Sequence, residues 1–132
     1  MRDSLRFAMR ILIAEDNPDN REMLARRLER RGYSVLFAED GAAAIEAVLT
    51  HRPDMVLMDV SMPVLSGLEA TKQIRERETG ARTPIIALTA HAMDSARQEC
   101  LTAGCDAFAT KPVDFPGLLA LMASLTPPTQ QA

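Results

Sequence analysis

Hydrophobic residues fall along this chain in short unbroken runs separated by amphipathic stretches. Four runs stand out: Ile11-Leu12-Ile13-Ala14, Val35-Leu36-Phe37-Ala38, Met55-Val56-Leu57-Met58 and Ile85-Ile86-Ala87-Leu88. A continuous apolar run of four to six residues, bounded by turn formers, is how a strand buried on both faces reads, and parallel sheets are built from such strands. A fifth, shorter strand is predicted over Asp106–Ala109.

Between the runs the spacing changes to a helical period. Asn17-Pro18 is a cap followed by a first-turn proline, opening a helix to about Arg31, with Met23, Leu24 and Leu28 inward and arginines outward until Gly32 stops it. Asp40-Gly41 opens an alanine-rich helix ending near His51-Arg52, with Ile45, Val48 and Leu49 on its buried side. Ser66-x-x-Glu69 is a capping-box pattern that starts a third helix, running to about Glu78. A weaker helix spans Met93–Ala103, closed by Gly104, and a last one runs from about Asp114 to Leu125 with Leu118, Leu121, Met122 and Leu125 at helical spacing. Strand and helix thus alternate five times with short connections, which predicts a single α/β domain: a parallel, doubly wound sheet with helices on both faces. Residues 1–8 read as a lead-in, 9–125 as the domain and 126–132 as a polar tail or linker stub.

Length and composition narrow the class. With 132 residues, 47% hydrophobic and 25% charged, the chain has enough apolar material for one core. Its net charge of −3 gives no nucleic-acid footprint. No apolar run approaches the ~20 residues of a membrane span. The N-terminus carries no signal-peptide core, so a cytoplasmic location is expected. Cys100 and Cys105 have neither redox-pair nor zinc-site spacing and read as buried small residues of a reducing compartment.

The chemistry lies just past the strands. The first run ends in Glu15-Asp16, the third in Asp59, the fourth in Thr89 and the fifth in Thr110-Lys111-Pro112. Parallel strands share a direction, so these groups are expected along one sheet edge. Three carboxylates there repel one another unless a cation sits among them. An all-oxygen set suits a hard divalent ion, Mg²⁺ above all. A carboxylate neutralised by metal and flanked by a hydroxyl and a lysine can attack phosphorus and form an acyl phosphate.

The set Glu15-Asp16, Asp59 with Met62-Pro63 and Gly67, Thr89-Ala90, and Lys111-Pro112 closely resembles the receiver domain of two-component response regulators, over about residues 9–125. The wording Pro84-Ile-Ile-Ala-Leu-Thr-Ala-His-Ala-Met93 is similar to receivers of hybrid sensor kinases. The resemblance implies a five-stranded flavodoxin-like sheet of order 2-1-3-4-5 with five helices. It implies that Asp59 is the phosphoacceptor, taking its phosphoryl group from a histidine kinase or a histidine phosphotransfer protein. By the same resemblance Asp16, Asp59 and the Ser61 backbone carbonyl ligate Mg²⁺, with Glu15 acting through water. Thr89 and Lys111 grip the phosphoryl oxygens, Lys111-Pro112 is cis, and Thr89 with Phe108 relays the event to the face of the fourth helix, fifth strand and fifth helix. His91, two residues after Thr89, is a candidate to influence attack by water or an exposed loop residue. His51 carries no assigned chemistry.

A signalling switch rather than an enzyme is therefore expected, as a monomer or weak dimer, with its output through a protein target. Only seven residues follow the last helix, so no DNA-binding output module is expected within this sequence. The alternative is a Mg²⁺-dependent aspartyl-phosphate phosphohydrolase. Such enzymes carry a second acid two residues after the nucleophile, and here that residue is Ser61. A flavodoxin-like flavin binder is disfavoured because Glu15-Asp16-Asn17-Pro18 would repel the cofactor's phosphate. A receiver that only docks is disfavoured because every reactive position is filled.

Overall fold

Each apolar run forms a strand, but the Val35–Ala38 run lies at the sheet edge and, apart from Ala38, is only half-buried or exposed rather than buried on both faces. The structure, a computed structural model, describes residues 9–91 and 93–126. The strands are β1 (Arg10–Ala14), β2 (Ser34–Ala38), β3 (Met55–Asp59), β4 (Ile85–Thr89) and β5 (Ala107–Thr110). The helices are α1 (Pro18–Arg30), α2 (Gly41–His51), α3 (Gly67–Arg77), α4 (Asp94–Ala103) and α5 (Phe115–Leu125). All strand pairs are parallel and the order is β2-β1-β3-β4-β5. The expected five-stranded order is thus present. Its direction of winding reverses between β1 and β3, and at such a switch point a crevice opens beyond the carboxyl ends of the strands.

Alternation along the strands sorts the core into two layers. Leu12, Ala14, Val56, Met58, Ile85 and Ala87 face α2, α3 and α4, meeting Ala44, Ile45, Val48, Ala70, Ile74 and Cys100. Ile11, Ile13, Met55, Leu57, Ile86 and Leu88 face α1 and α5, meeting Leu24, Leu28, Phe115, Leu118 and Met122. Three helices begin at side-chain caps that satisfy otherwise orphaned N–H groups: Asn17 accepts from the Asn20 amide, Asp40 from Ala43 and Ser66 from Glu69.

Two further expectations need correction. Met23 is 49% exposed. On a 3.6-residue period Leu24, Ala25 and Leu28 define the buried stripe of α1, and Met23 falls on its far side. Thr126, assigned to the polar tail, is buried, and its hydroxyl donates to the Met122 carbonyl at 2.7 Å. The lead-in and residues 127–132 lie outside the described residues. Among the described residues no helix is long and apolar enough to cross a membrane.

Helix α4 is held unevenly. Its C-terminal end closes in a Schellman motif, with the Cys105 amide donating to the Cys100 carbonyl and the Gly104 amide to Leu101, both at 3.0 Å. Arg75 of α3, 12% exposed, donates to the Gly104 carbonyl at 2.9 Å and also pairs with Asp106 and Glu78. Arg82 reaches the same Gly104 carbonyl and Asp106. By contrast Met93, the N-cap, makes no side-chain cap bond, and the buried residues of α4 are Cys100 and Ala103 in its second half.

Both cysteines are free and buried. Burial pushes the Cys105 thiol up to about 11 from 9.0, against the pull of its contact with Thr71. The folded protein therefore keeps this proton after an unfolded chain has lost it. The associated stability is fully present below pH 9 and is lost as pH rises toward 11. At about pH 10.5 the loss is about 2 kcal/mol. Urea unfolding at pH 8 and at that higher pH is expected to show this loss in the parent and its absence in Cys105→Ala. Neither thiol should react with iodoacetamide at pH 8 before unfolding.

Candidate functional site

At the switch point the chain leaves β1 and β3 through acids. Glu15 and Asp59 are 2% and 3% exposed, whereas Asp16 is open to solvent. Carboxylate oxygens of Glu15, Asp16 and Asp59 lie within 4.8 Å of one another. Lys111, just beyond β5, spans the two buried members, its Nζ 3.1 Å from Asp59 Oδ2 and 3.2 Å from Glu15 Oε1. The Lys111 amide donates to the Thr89 carbonyl at 2.8 Å, fixing where that side chain departs, and the Lys111–Pro112 peptide is cis.

Backbone amides complete the carboxylate environment. The Asn17 amide donates to Glu15 Oε2 at 3.1 Å, and the Ser61 amide to Asp59 Oδ1 at 3.2 Å. Burial pushes the Glu15 carboxyl above its usual range. The Asn17 amide pulls it back, the Asp59 charge pushes it further up, and Lys111 opposes both. For Lys111 burial works against the charge, but Asp59 and then Glu15 outweigh it, so its ammonium is held above the usual lysine range. One lysine against three acids leaves negative charge in a crevice only partly open to water. An all-oxygen donor set of that charge fits a hard divalent cation.

The loop between Asp59 and α3 is packed backbone against backbone. The Gly67 amide donates to the Val60 carbonyl at 2.9 Å. A methyl group built on Gly67 would run into the Asp59 carbonyl oxygen, and one on Gly41 would run into that of Leu65. Val64, at the crest of this loop, is 80% exposed and has φ +69°, a conformation that β-branched residues rarely adopt.

Thr89 is buried, and its hydroxyl accepts the His91 amide at 3.1 Å. Phe108 is half-buried against the α2–α4 layer, with the Arg97 guanidinium 5.8 Å from its ring centroid. His91 is exposed. The arginines read as outward on and just after α1, Arg26, Arg27, Arg30 and Arg31, are exposed, and Arg27 in addition lies 5.5 Å from the Phe115 ring centroid.

Three contributors were not singled out from the sequence. Asn17 was read only as a helix cap, yet its amide also serves Glu15; an acid followed two residues later by a cap residue is a signal for such a turn. The close approach at Gly41 leaves no trace in a single sequence beyond the glycine itself. Arg21 looks like any other exposed helix arginine, but its Nη1 donates to the Glu15 carbonyl at 2.9 Å.

Comparison with known proteins agrees with this geometry. Residues 11–123 match the family described as the response regulator receiver domain. Response regulator MprA of Mycobacterium sp. (strain KMS) is 44% identical over 117 residues, covering 89% of this chain and 50% of MprA. The chain thus spans about half the length of that curated relative. Among solved structures, the receiver domain of sensor histidine kinase PA1611 from Pseudomonas aeruginosa PAO1, with magnesium coordinated in its active-site cleft, is 39% identical with a TM-score of 0.81, covering 89% of this chain and 96% of that one. The receiver domain of Saccharomyces cerevisiae Ssk1, solved in complex with the histidine phosphotransfer protein Ypd1, matches with 32% identity and a TM-score of 0.82, over 88% of this chain and 87% of that one. With its strand order, acid-bearing strand ends and near-complete family match, this chain belongs to the response regulator receiver domains of two-component signalling.

Proposed function

We propose that the chain is a phosphorylation switch in which Asp59 accepts a phosphoryl group from the phosphohistidine of a histidine kinase or histidine phosphotransfer protein. The observation that carries this reading is the convergence of Glu15, Asp16 and Asp59 around one point, with Lys111 bridging two of them. Magnesium in the cleft of the PA1611 receiver and the Ypd1–Ssk1 receiver complex support it for the cation and the donor.

Asp16 and Asp59, with the Ser61 carbonyl, would hold Mg²⁺ directly and Glu15 through water. When bound, the ion offsets carboxylate charge and the charge of the phosphoryl oxygens. An Asp59 carboxylate oxygen forms the new bond to phosphorus in line with the breaking P–N bond of the donor, whose imidazole leaves and regains a proton. Lys111 stays charged throughout and stabilises an equatorial oxygen. Thr89 turns its hydroxyl from the His91 amide toward another of those oxygens, and Phe108 follows inward. The changed surface of α4, β5 and α5 then alters affinity for a protein target, which is a shift between two populations.

The test uses a phosphorylated histidine phosphotransfer protein as donor. Label is expected to pass to this chain with Mg²⁺ present and to stay on the donor with EDTA. Transfer that ignores the chelator would sink the metal-dependent mechanism, and no transfer from any phosphohistidine donor or acetyl phosphate would sink the switch.

A further inference from the structure

The three acids of the cluster are not equally constrained. Glu15 is tied to Lys111 and the Asn17 amide, and Asp59 to Lys111 and the Ser61 amide. For the exposed Asp16 carboxylate no hydrogen bond or ion pair occurs among the described residues, so its backbone is what fixes where the side chain departs. The peptide leading into Asp16 carries the Glu15 carbonyl, and Arg21 grips that carbonyl from the first turns of α1. On the other side of Glu15, its amide donates to the Ala38 carbonyl of β2 at 3.0 Å.

Arg21 is itself held in place. Its guanidinium lies 5.6 Å from the ring centroid of Phe37, which stands 52% exposed on the edge strand β2. As a platform for a guanidinium plane the ring restricts where the Nη1 donor points.

We propose that Arg21, oriented on Phe37, is a positioning residue for Asp16 and sets the cation affinity of the acid cluster through the Glu15–Asp16 peptide. This inference rests on the cluster being the Mg²⁺ site proposed above. The sign of the effect separates positioning from plain electrostatics. Arg21 is a positive charge near a cation site, so its removal alone would tighten cation binding slightly. Loss of positioning would weaken it, and partners one shell removed from a metal commonly control affinity by about tenfold or more.

Calorimetric titration with Mg²⁺ tests this on the intact chain. Arg21→Met keeps the apolar stem but cannot donate, and is expected to bind Mg²⁺ about tenfold more weakly. Arg21→Lys restores a donor and recovers part of the loss. Phe37→Leu removes the ring, leaves the arginine, and weakens binding by a smaller factor; it also serves if Arg21→Met fails to fold. Unchanged or tighter binding in folded Arg21→Met, or in Phe37→Leu where the first variant does not fold, overturns the proposal while leaving the switch intact. A parent protein that binds no Mg²⁺ removes the cation site itself, and both fall together.

Discussion

Asp59→Ala, incubated with Mg²⁺ and acetyl phosphate, is expected to gain no phosphoryl group, whereas the parent gains one by intact-protein mass spectrometry. In the proposed reaction the nucleophile is the Asp59 carboxylate, and neither neighbour is expected to replace it. Glu15 is buried and committed to Lys111 and the Asn17 amide, while Asp16 is open to solvent and is assigned to the cation. The substitution should not unfold the protein. It removes one of two mutually repelling buried carboxylates and leaves Lys111 paired with Glu15. The contrast is therefore complete loss of uptake with a nearly unchanged urea midpoint. Lys111→Met completes the argument. The methionine retains the stem, and losing the ammonium should slow uptake by about 10²-fold, as when one preorganised donor to a developing oxyanion is deleted. Uptake by Asp59→Ala at the parental rate would mean that phosphorus is captured elsewhere, and the site would have to be redrawn.

Gly67→Ala is expected to cause a large loss of stability from the smallest change of side chain. The added methyl would strike the Asp59 carbonyl oxygen, with the Asp59 carbonyl carbon at 2.9 Å and Met58 Cγ at 3.0 Å behind it. Two of those three atoms are backbone at the end of a central strand, and they cannot turn aside as a flexible side chain would. Overpacking of this kind costs about 1–3 kcal/mol and more where the neighbours are rigid. Against a typical domain stability of about 5–15 kcal/mol, that is a large fraction. Urea unfolding followed by circular dichroism measures it directly. The relief of the clash must push α3 away from β3 or tilt the peptide after Asp59, so phosphoryl uptake should fall along with the midpoint. A Gly67→Ala protein as stable as the parent would show that the contact is not close in solution.

Much of this molecule was legible in its sequence because its central strands are buried on both sides. Ile11–Ala14, Met55–Met58 and Ile85–Leu88 advertise themselves as apolar runs, and the polar residue that ends each run marks the same sheet edge. The shared edge of the acids, Thr89 and Lys111 is therefore legible in the sequence. The sheet order came from the family resemblance, since pairing between strands leaves no mark in one sequence. What stayed hidden depends on rotation and reach. Met23 was misplaced because an apolar residue next to a buried stripe reads as part of it until the helix is given its angle. Thr126 was read as tail because its polarity said nothing of the Met122 carbonyl one turn earlier. Arg21 was invisible because its partner is a main-chain carbonyl, an acceptor every residue carries.

The uneven anchoring of α4 bears on what a signal arriving at Thr89 can move. The last turn is riveted to the floor of the domain through Gly104, Arg75 and Arg82, while residues 94–99, nearest His91, contribute no buried side chain to either layer of the core. A segment with so little interior contact melts or tilts at a small fraction of the global unfolding cost. In the proposed switch the helix would then act as a lever hinged at its foot, its head tilting at smaller cost than its anchored end.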